Sequence, residues 1–345
     1  MNYEAKKPTL KDVAALANTS IATASVVLSK NTNIYVSDEL RLKVIQAADK
    51  LKYSPNLLAR RMKGKSRRFL AILVPQFENV FFNRVVLGAE HYANSHGYIL
   101  SIFSTHDQEE KELNFIDNLI ALQVDGILIA PSSNRSKSIV RLQEAGIPYV
   151  ILDRKYYEPH HNFVGFDNYQ AAFEGTKYLI TQGHKQVVFF GWESRLNTIV
   201  ERLNGFMDAF RAMGIEPDES LIFHGKRNER TAHELMLQIL ERHQFTAVFA
   251  ALHHIGEGVV TALRDSRRRI PEDISVLIFG NPRWALVGNP AFTCINLPDL
   301  KMGMKAAALI INQLENSDQL PQEVIYKANL ILRNSVAKLH YERIK

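Results

Sequence analysis

From Phe69 onward the chain alternates strand-sized apolar runs with helical stretches, and this rhythm constrains its fold more than any other feature. "FLAILVP", "YILSIFS", "VDGILIAP" and "PYVILD" are separated by "VVLGAEHYANSHG", "EEKELNFIDNLIALQ" and "SIVRLQEAG". The alternation resumes through "NYQAAFEGTKYLITQG", "QVVFFGW", "ERLNGFMDAFRAMG", "AVFAAL", "GEGVVTALRDS" and "ISVLIFG". Apolar runs separated by helices predict parallel strands covered by helices, an α/β class. About ten such units suit two similar α/β lobes. In such sheets a ligand sits at the carboxyl ends of the strands, here in the cleft between the lobes.

The first 52 residues read as three short helices. Thr9 with Asp12 three positions on is a capping-box pattern, and Leu10, Val13, Ala14 and Ala17 then repeat on one helical face. "ANTS" is a turn, and Ser20 is a good N-cap for a second helix with Ala24, Val27 and Leu28 as its apolar stripe. Ile21, Ala22, Ser25 and Val26 must then face elsewhere, two of them β-branched hydrophobes on what should be the wet side. After the polar loop "SKNTNIYVS", Ser37 caps a third helix with Leu40, Val44, Ala47, Ala48 and Leu51 on its inner face. Two short helices joined by a tight turn, with a third behind them, make a helix-turn-helix unit. Pro55 breaks the pattern. Asn56 to Lys63 is helix-capable but only about two turns long, so it should be marginal alone, and Gly64 with "KSRR" forms a flexible basic connector.

Charge sharpens this division. Residues 1–68 hold fourteen Lys/Arg against five Asp/Glu, the rest of the chain 28 against 31. A small basic head on a near-neutral body is the footprint of a nucleic-acid binder, or else a solvated basic arm. Hydrophobic residues at 46% and charged residues at 23% are globular values. The apolar runs fall far short of a membrane span, and the N-terminus lacks the apolar core of a signal peptide. The single Cys294 rules out an internal disulfide framework and fits a reducing cytoplasm.

Catalytic patterns are missing from the sequence: there is no GxGxxG or phosphate-binding Walker loop and no HExxH. No acid/base pair or cofactor loop is placed at the strand ends, so an enzyme is not expected, nor any cofactor. "HHIGE" at His253 to Glu257 invites a metal reading. Gly256 and Gly258 instead point to the start of a helix in a glycine-marked turn, without a third ligand.

These residues resemble the lactose-repressor (LacI/GalR) family of bacterial transcription regulators over nearly the whole chain. The resemblance is carried by "TLKDVAALANTSIATAS", "VSDELRLKVIQAADKLKYSPNLLAR", "FFNRVVLGAEHYANSHGY" and "VDGILIAP", then by "DR" at Asp153, "DN" at Asp167 and "GHKQV" at Gly183. "RLNGF" at Arg202, "IPEDISVLIFG", "NPAFTCI" and "ILRNSV" complete it. It implies a helix-turn-helix headpiece over 1–54, a hinge helix and linker over 55–68, and a two-lobed sensor over 69–345 like that of periplasmic sugar-binding proteins. Crossings near Gly165, Pro298 and Tyr326 would give an N-lobe of about 69–165 and 298–325 and a C-lobe of about 166–297 and 326–345. The family implies a homodimer on a palindromic double-stranded DNA operator, modulated by a small molecule in the cleft and acting in the cytoplasm at the nucleoid. The absence of a heptad extension after "ILRNSVAKLHYERIK" fits a dimer rather than a tetramer. A cleft-based solute-binding protein without a DNA function shares the two-lobed body and is the alternative.

By this resemblance the second helix is a recognition helix. Positions matching Ile21, Ala22 and Val26 often carry polar or basic readers in the family, with Arg common at the last; here they are apolar and short. An Arg bidentate to guanine discriminates by about 1–3 kcal/mol, which Val26 forgoes. Readout is then expected to lean on thymine methyls, on Ser25 and Ser29, and on phosphate anchoring by Lys11, Arg60 and Lys63. Thr9, Ser20 and Thr23 add hydroxyl or helix-terminus contacts to phosphates. Alternatively Ile21 and Val26 pack inside a variant headpiece. In the hinge, which also offers Asn56 and Ala59, Met62 stands where the family usually has a Leu that wedges with its dimer mate into the minor groove.

The cleft is expected to be built from Asn79, Phe81, Phe82, Asp153, Asp167, Thr198, Arg202, Arg227, Leu252 and Asn281. Phe81 and Phe82 either stack on a ligand ring or pack in the core. Arg202 matches a family Arg that hydrogen-bonds ligand hydroxyls or anions. The family commonly reads "ND" where this chain has Leu252 and His253, and "DD" where it has Gly280 and Asn281. With those groups altered and Arg202 kept, an anionic effector, a sugar acid or sugar phosphate, is expected over a neutral sugar; an unliganded or protein-regulated sensor is the alternative.

Overall fold

The computed structural model describes residues 8–28, 34–53, 68–157, 160–226, 228–316 and 319–339. They form two units, one within residues 1–67 and one within 68–345.

The first unit holds α1 (Leu10–Leu16), α2 (Ile21–Leu28) and α3 (Asp38–Lys50). Thr9 and Asp12 close a capping box: Asp12 N donates to Thr9 Oγ1 at 3.4 Å and Thr9 N to Asp12 Oδ2 at 2.7 Å. Asn18 takes a left-handed φ of 50° in the turn, a conformation that Asn tolerates through local hydrogen bonding. Ser20 and Ser37 cap the next two helices by accepting from Thr23 N and Leu40 N. Val13, Ala14, Ala17, Ala24, Val27, Val44, Ala47 and Ala48 form one small core, the stripes expected from the sequence. The proposed hinge helix lies outside the described residues.

The second unit begins with β1 (Phe69–Val74), α4 (Val80–Ser95), β2 (Ile99–Ser104), α5 (Glu109–Ala121), β3 (Gly126–Ile129), α6 (Lys137–Glu144), β4 (Tyr149–Leu152) and β5 (Asn162–Phe166). The chain then crosses into a second lobe of α7 (Asn168–Thr181), β6 (Val187–Trp192), α8 (Asn197–Ala212), β7 (Ile222–Gly225), α9 (Glu229–Arg242), β8 (Ala247–Ala250), α10 (His253–Asp265), β9 (Ser275–Phe279), α11 (Arg283–Val287) and β10 (Thr293–Asn296). It returns for α12 (Asp299–Glu315) and β11 (Glu323–Tyr326), and crosses again for β12 (Asn329–Ile331).

One sheet runs β11-β5-β4-β3-β1-β2, all parallel, and the other β12-β10-β9-β8-β6-β7, parallel but for β12 against β10. The inner strands β3, β6, β8 and β9 are buried at every residue. This is why they appear in the sequence as unbroken apolar runs rather than alternating ones. Asp167 N donates to Tyr326 O at 3.0 Å, so the first and last crossings run side by side. All parallel strands of both sheets deliver their carboxyl ends to the groove between the lobes.

The end of the described chain is fastened to the base of the second lobe by His184, whose ring pairs with Thr246 Oγ1 at 2.9 Å and Ala337 O at 3.0 Å. A carbonyl only accepts, so Nε2 carries the proton. Burial holds the His184 pKa below its ordinary value, against the pull of the Ala337 carbonyl. The unfolded chain then binds more protons than the folded one just below the ordinary histidine pKa of about 6.5. The stability involved is complete above that pH and is lost as pH falls toward the lower folded value. The urea midpoint should fall between about pH 7.5 and about pH 5.5, and fall less in His184→Gln; equal pH dependence of the two proteins would refute this assignment.

Candidate functional site

On the headpiece, Ile21 is 44% exposed, and Lys11 and Ala22 are exposed beside it. Thr23, Ser25 and Val26 are half-buried on the flanks of α2, while Ala24 and Val27 point into the core. The outward face is therefore apolar at its leading edge, as expected, though Val26 contributes only part of its surface. The hydroxyls serve the caps: Thr9 Oγ1 donates to Asp12 Oδ2 at 2.7 Å, and Ser20 Oγ lies 2.9 Å from Thr23 Oγ1. Of the expected DNA contacts, Ser29, Asn56, Ala59, Arg60, Met62 and Lys63 lie outside the described residues.

In the second unit the first wall of the groove comes from the start of α4. Asn79 caps this helix, its Oδ1 accepting from Phe81 N at 3.0 Å. Phe81 and Phe82 pack edge to face at 5.0 Å, and Phe81 lies 5.8 Å from Phe166. Both rings belong to the core and also line the groove. After β4 the backbone turns through Asp153 at φ 61°, and the next residue, Arg154, is 2% exposed. Its Nη1 lies 2.5 Å from Asp107 Oδ1 and 3.0 Å from Pro131 O, with the guanidinium 5.8 Å from the Phe82 ring. One side chain thus ties the loops after β2, β3 and β4 together behind the groove.

The facing wall is organised by Arg202 on α8. Its Nε donates to Asn168 Oδ1 at 2.8 Å and its Nη1 to Ala251 O at 2.7 Å. The guanidinium lies 3.8 Å from the Phe279 ring centre and 5.4 Å from that of Trp192. Asn79, Phe81, Phe82, Asp153, Thr198, Arg202 and Leu252 all line one cavity of about 30 Å³, with Arg154, Trp192, His253, Phe279 and Leu297 completing it. Trp192 and Phe279 stand at the carboxyl ends of β6 and β9, where the strand-end rule would have found them.

Asn281 lines a neighbouring cavity of about 150 Å³ that shares Phe81, His253 and Leu297 with the first. Its amide is committed at both ends, donating to Asn296 Oδ1 at 3.0 Å and accepting from Arg333 Nη2 at 2.9 Å. Gly280 sits at φ 103°, a conformation other residues rarely adopt. A side chain there would meet His253 Cβ and Nδ1 at 3.4 Å. The imidazole thus packs against the glycine where the family commonly has an acid. Asp167 lines neither cavity: it is exposed and caps α7 by accepting from Gln170 N at 2.8 Å. Arg227 lies outside the described residues.

"HHIGE" opens α10, but Gly256 and the following Gly258 do not mark a turn. Both are within the helix, and a Cβ at Gly258 would lie 2.3 Å from Glu229 O. The absent side chain lets α10 press against α9. Among the described residues no group of three His, Cys, Asp or Glu could hold a metal ion.

Among the described residues, residues of the two lobes meet across the groove at one side. Asn134 Nδ2 donates to Arg195 O at 3.2 Å, Lys155 N donates to Asn197 Oδ1 at 3.1 Å, and Lys155 Nζ lies 3.7 Å from Glu201 Oε1. Burial chiefly pushes the Glu201 carboxyl above its usual range; Lys155 and Asn197 pull it back, while Asp167 and Asp153 push it further up. Sequence reasoning did not single out Glu201, although it follows Thr198 by three residues on the same helical face.

A family model described as bacterial regulatory proteins, lacI family, matches residues 9–56. A second, described as periplasmic binding proteins and sugar binding domain of LacI family, matches residues 68–333. The HTH-type transcriptional repressor PurR of Vibrio atlanticus (strain LGP32) is 30% identical over 334 residues, covering 96% of this chain and 99% of the relative. Among solved structures, a transcriptional regulator CelR–cellobiose complex superposes with a TM-score of 0.72 at 28% identity, over 95% of this chain and 99% of that one. The lac repressor dimer bound to operator and an anti-inducer shares the fold, with a TM-score of 0.84 at 21% identity over 96% and 100% of the two chains.

Proposed function

The chain belongs to the LacI family of bacterial regulatory proteins, and from that premise we propose that it is a transcriptional repressor whose helix-turn-helix unit binds an operator and whose cleft takes a small-molecule effector. The observation that carries this reading is the pairing of a capped three-helix headpiece with a two-lobed body whose strand ends converge on a groove. A solute-binding protein without a DNA function leaves the headpiece unexplained. The relatives are transcriptional repressors rather than enzymes.

On DNA, the outward face of α2 offers Ile21 and Ala22 to the major groove, where apolar side chains meet thymine methyls. Ser25 and Val26 flank that face, and Ser29 is a further proposed contact. Phosphates are met by Lys11, Arg60 and Lys63 and by the capped helix ends at Thr9, Ser20 and Thr23. Met62, flanked by Asn56 and Ala59, is the wedge at the centre of the site. Two copies act together. Edge strand β2 and helix α4 expose the apolar side chains Ile99 (55%), Ile102 (42%) and Leu87 (55%), candidates for burial in self-association. No helix among the described residues is long and apolar enough to cross a membrane. A DNA target fits action in the cytoplasm, at the nucleoid.

The effector we propose is a small polar ring carrying an anionic group, a sugar acid or sugar phosphate. Arg202 addresses the anion and Asp153 the ring hydroxyls, while Leu252 and Gly280 withhold the amide and acid commonly found there. Phe81, Trp192 and Phe279 supply the apolar faces.

Selection of fragmented genomic DNA on the full-length protein at low salt should return an inverted repeat without guanine preference opposite Val26. Retention of no fragment would refute the DNA function. A strong guanine preference there, a discrimination of about 1–3 kcal/mol, would refute the apolar readout alone.

A further inference from the structure

Of the two cavities described above, the one beside Asn281 holds about 150 Å³, whereas the space in front of Arg202 is only about 30 Å³. That is room for little more than water, and small-molecule pockets are roughly ten times larger. An effector reaches Arg202 only if the lobes part, so the contacts that hold them together acquire a role.

Two of those contacts are incomplete. Asn134 is 7% exposed and spends its amide hydrogens on Tyr157 Oη at 3.1 Å and on Arg195 O at 3.2 Å across the groove. Its Oδ1 is buried without a hydrogen-bond partner. A buried acceptor left unmade is unfavourable, and opening the groove would let water satisfy it. The Lys155–Glu201 pair is long at 3.7 Å, with side chains 44% and 28% exposed. Lys155 and Asp153 come from the loop after β4, Asp167 from the crossing into α7, and Glu201 from α8. Lys155 therefore offsets the repulsion that Asp167 and Asp153 exert on the Glu201 carboxylate.

We propose that Asn134, Lys155 and Glu201 form a releasable latch across the mouth of the cleft, and that its release admits the effector. The latch gives the two lobes a closed arrangement that is held but not fully satisfied, the property a switch requires. An anionic ligand group that draws Lys155 away from Glu201 would leave the carboxylates facing one another. The ligand's part in this rests on the effector reading above; the latch itself does not.

The test uses neither DNA nor effector, so its failure is distinct from a failure of the proposed function. Nitroxide labels are placed on the full-length protein at Ala121→Cys and Ala212→Cys, exposed positions at the ends of α5 in one lobe and α8 in the other. Cys294 stays unlabelled, being fully buried with its thiol pushed up to about 11. Inter-label distances are read by double electron–electron resonance, with circular dichroism to confirm folding. Lys155→Met should shift the distribution to longer distances, and Asn134→Ala should do so to a smaller extent. Adding Glu201→Gln to Lys155→Met should bring the distribution back toward the parent, because two carboxylates repel less than three. Distributions unchanged in Lys155→Met and Asn134→Ala would overturn the latch. A shift that Glu201→Gln does not reverse would overturn its electrostatic basis.

Discussion

Replacing Gly303 by valine should destabilise the first lobe by about 3 kcal/mol or more, toward and beyond the upper end of the usual cost of overpacking. A Cβ at Gly303 would lie 1.9 Å from Val85 O and 2.8 Å from Ala89 N. On the opposite helix, a Cβ at Gly88 would lie 2.2 Å from Leu300 O. Helices α4 and α12 thus press a glycine of each against the backbone of the other. The obstacle is main chain rather than a side chain that could rotate away, so relief requires the helices to separate. Helix α12 also packs on β3, β4 and β5, and separation would loosen that side of the sheet. Urea unfolding of Gly303→Val and Gly303→Ala measures the effect, with alanine the milder of the two. A valine variant within about 0.5 kcal/mol of the parent would show that the crossing is not close-packed as described.

Arg202→Leu should abolish effector response while leaving operator binding in place. The substitution removes a buried guanidinium that donates to Asn168 Oδ1 and Ala251 O and lies over Phe279. Leaving such acceptors unpaired costs about 1–3 kcal/mol each, so stability should fall by roughly 2–6 kcal/mol. Loss of a charge-assisted contact to the ligand, about 3 kcal/mol, corresponds to an affinity drop of more than about a hundredfold. The headpiece has its own core and should be spared. Arg202→Lys keeps the charge but not the planar fork, and should recover only part of the response. Calorimetry with the sugar acids and sugar phosphates that raise the parent's melting temperature, alongside gel shifts on the selected operator fragment, checks both halves. Undiminished effector binding by Arg202→Leu would remove Arg202 from the site. Tight cleft binding of a neutral sugar alone would overturn the anionic assignment.

Much of this architecture was legible in the sequence because burial on both faces turns a parallel strand into an unbroken apolar run. β1, β3, β4, β6, β8 and β9 announced themselves in this way. β7, "IFHG", carries a polar residue at a sheet edge, and β12 spans only Asn329–Ile331, so neither gives such a run. In the groove, strand ends and helix starts pointed to Asn79, Asp153 and Thr198, and the family resemblance to Arg202. They did not point to Arg154, whose role depends on Asp107, 47 residues away in the sequence. Gly256 and Gly258 misled for a related reason: a glycine that admits a neighbouring helix looks the same as one that makes a turn until the neighbour is known. Asp167 was drawn into the site by its family motif, but its side chain serves a helix cap.

The return of the chain to complete its first sheet has a consequence for biosynthesis. β11 pairs with β5, and α12 covers the strands laid down much earlier. The ribosome must deliver nearly the whole polypeptide before either lobe has its full set of strands, whereas the headpiece is finished once its own short segment has emerged. Since domains generally fold as units, N-terminal first, the headpiece would form early in translation, long before the elements intended to regulate it are complete.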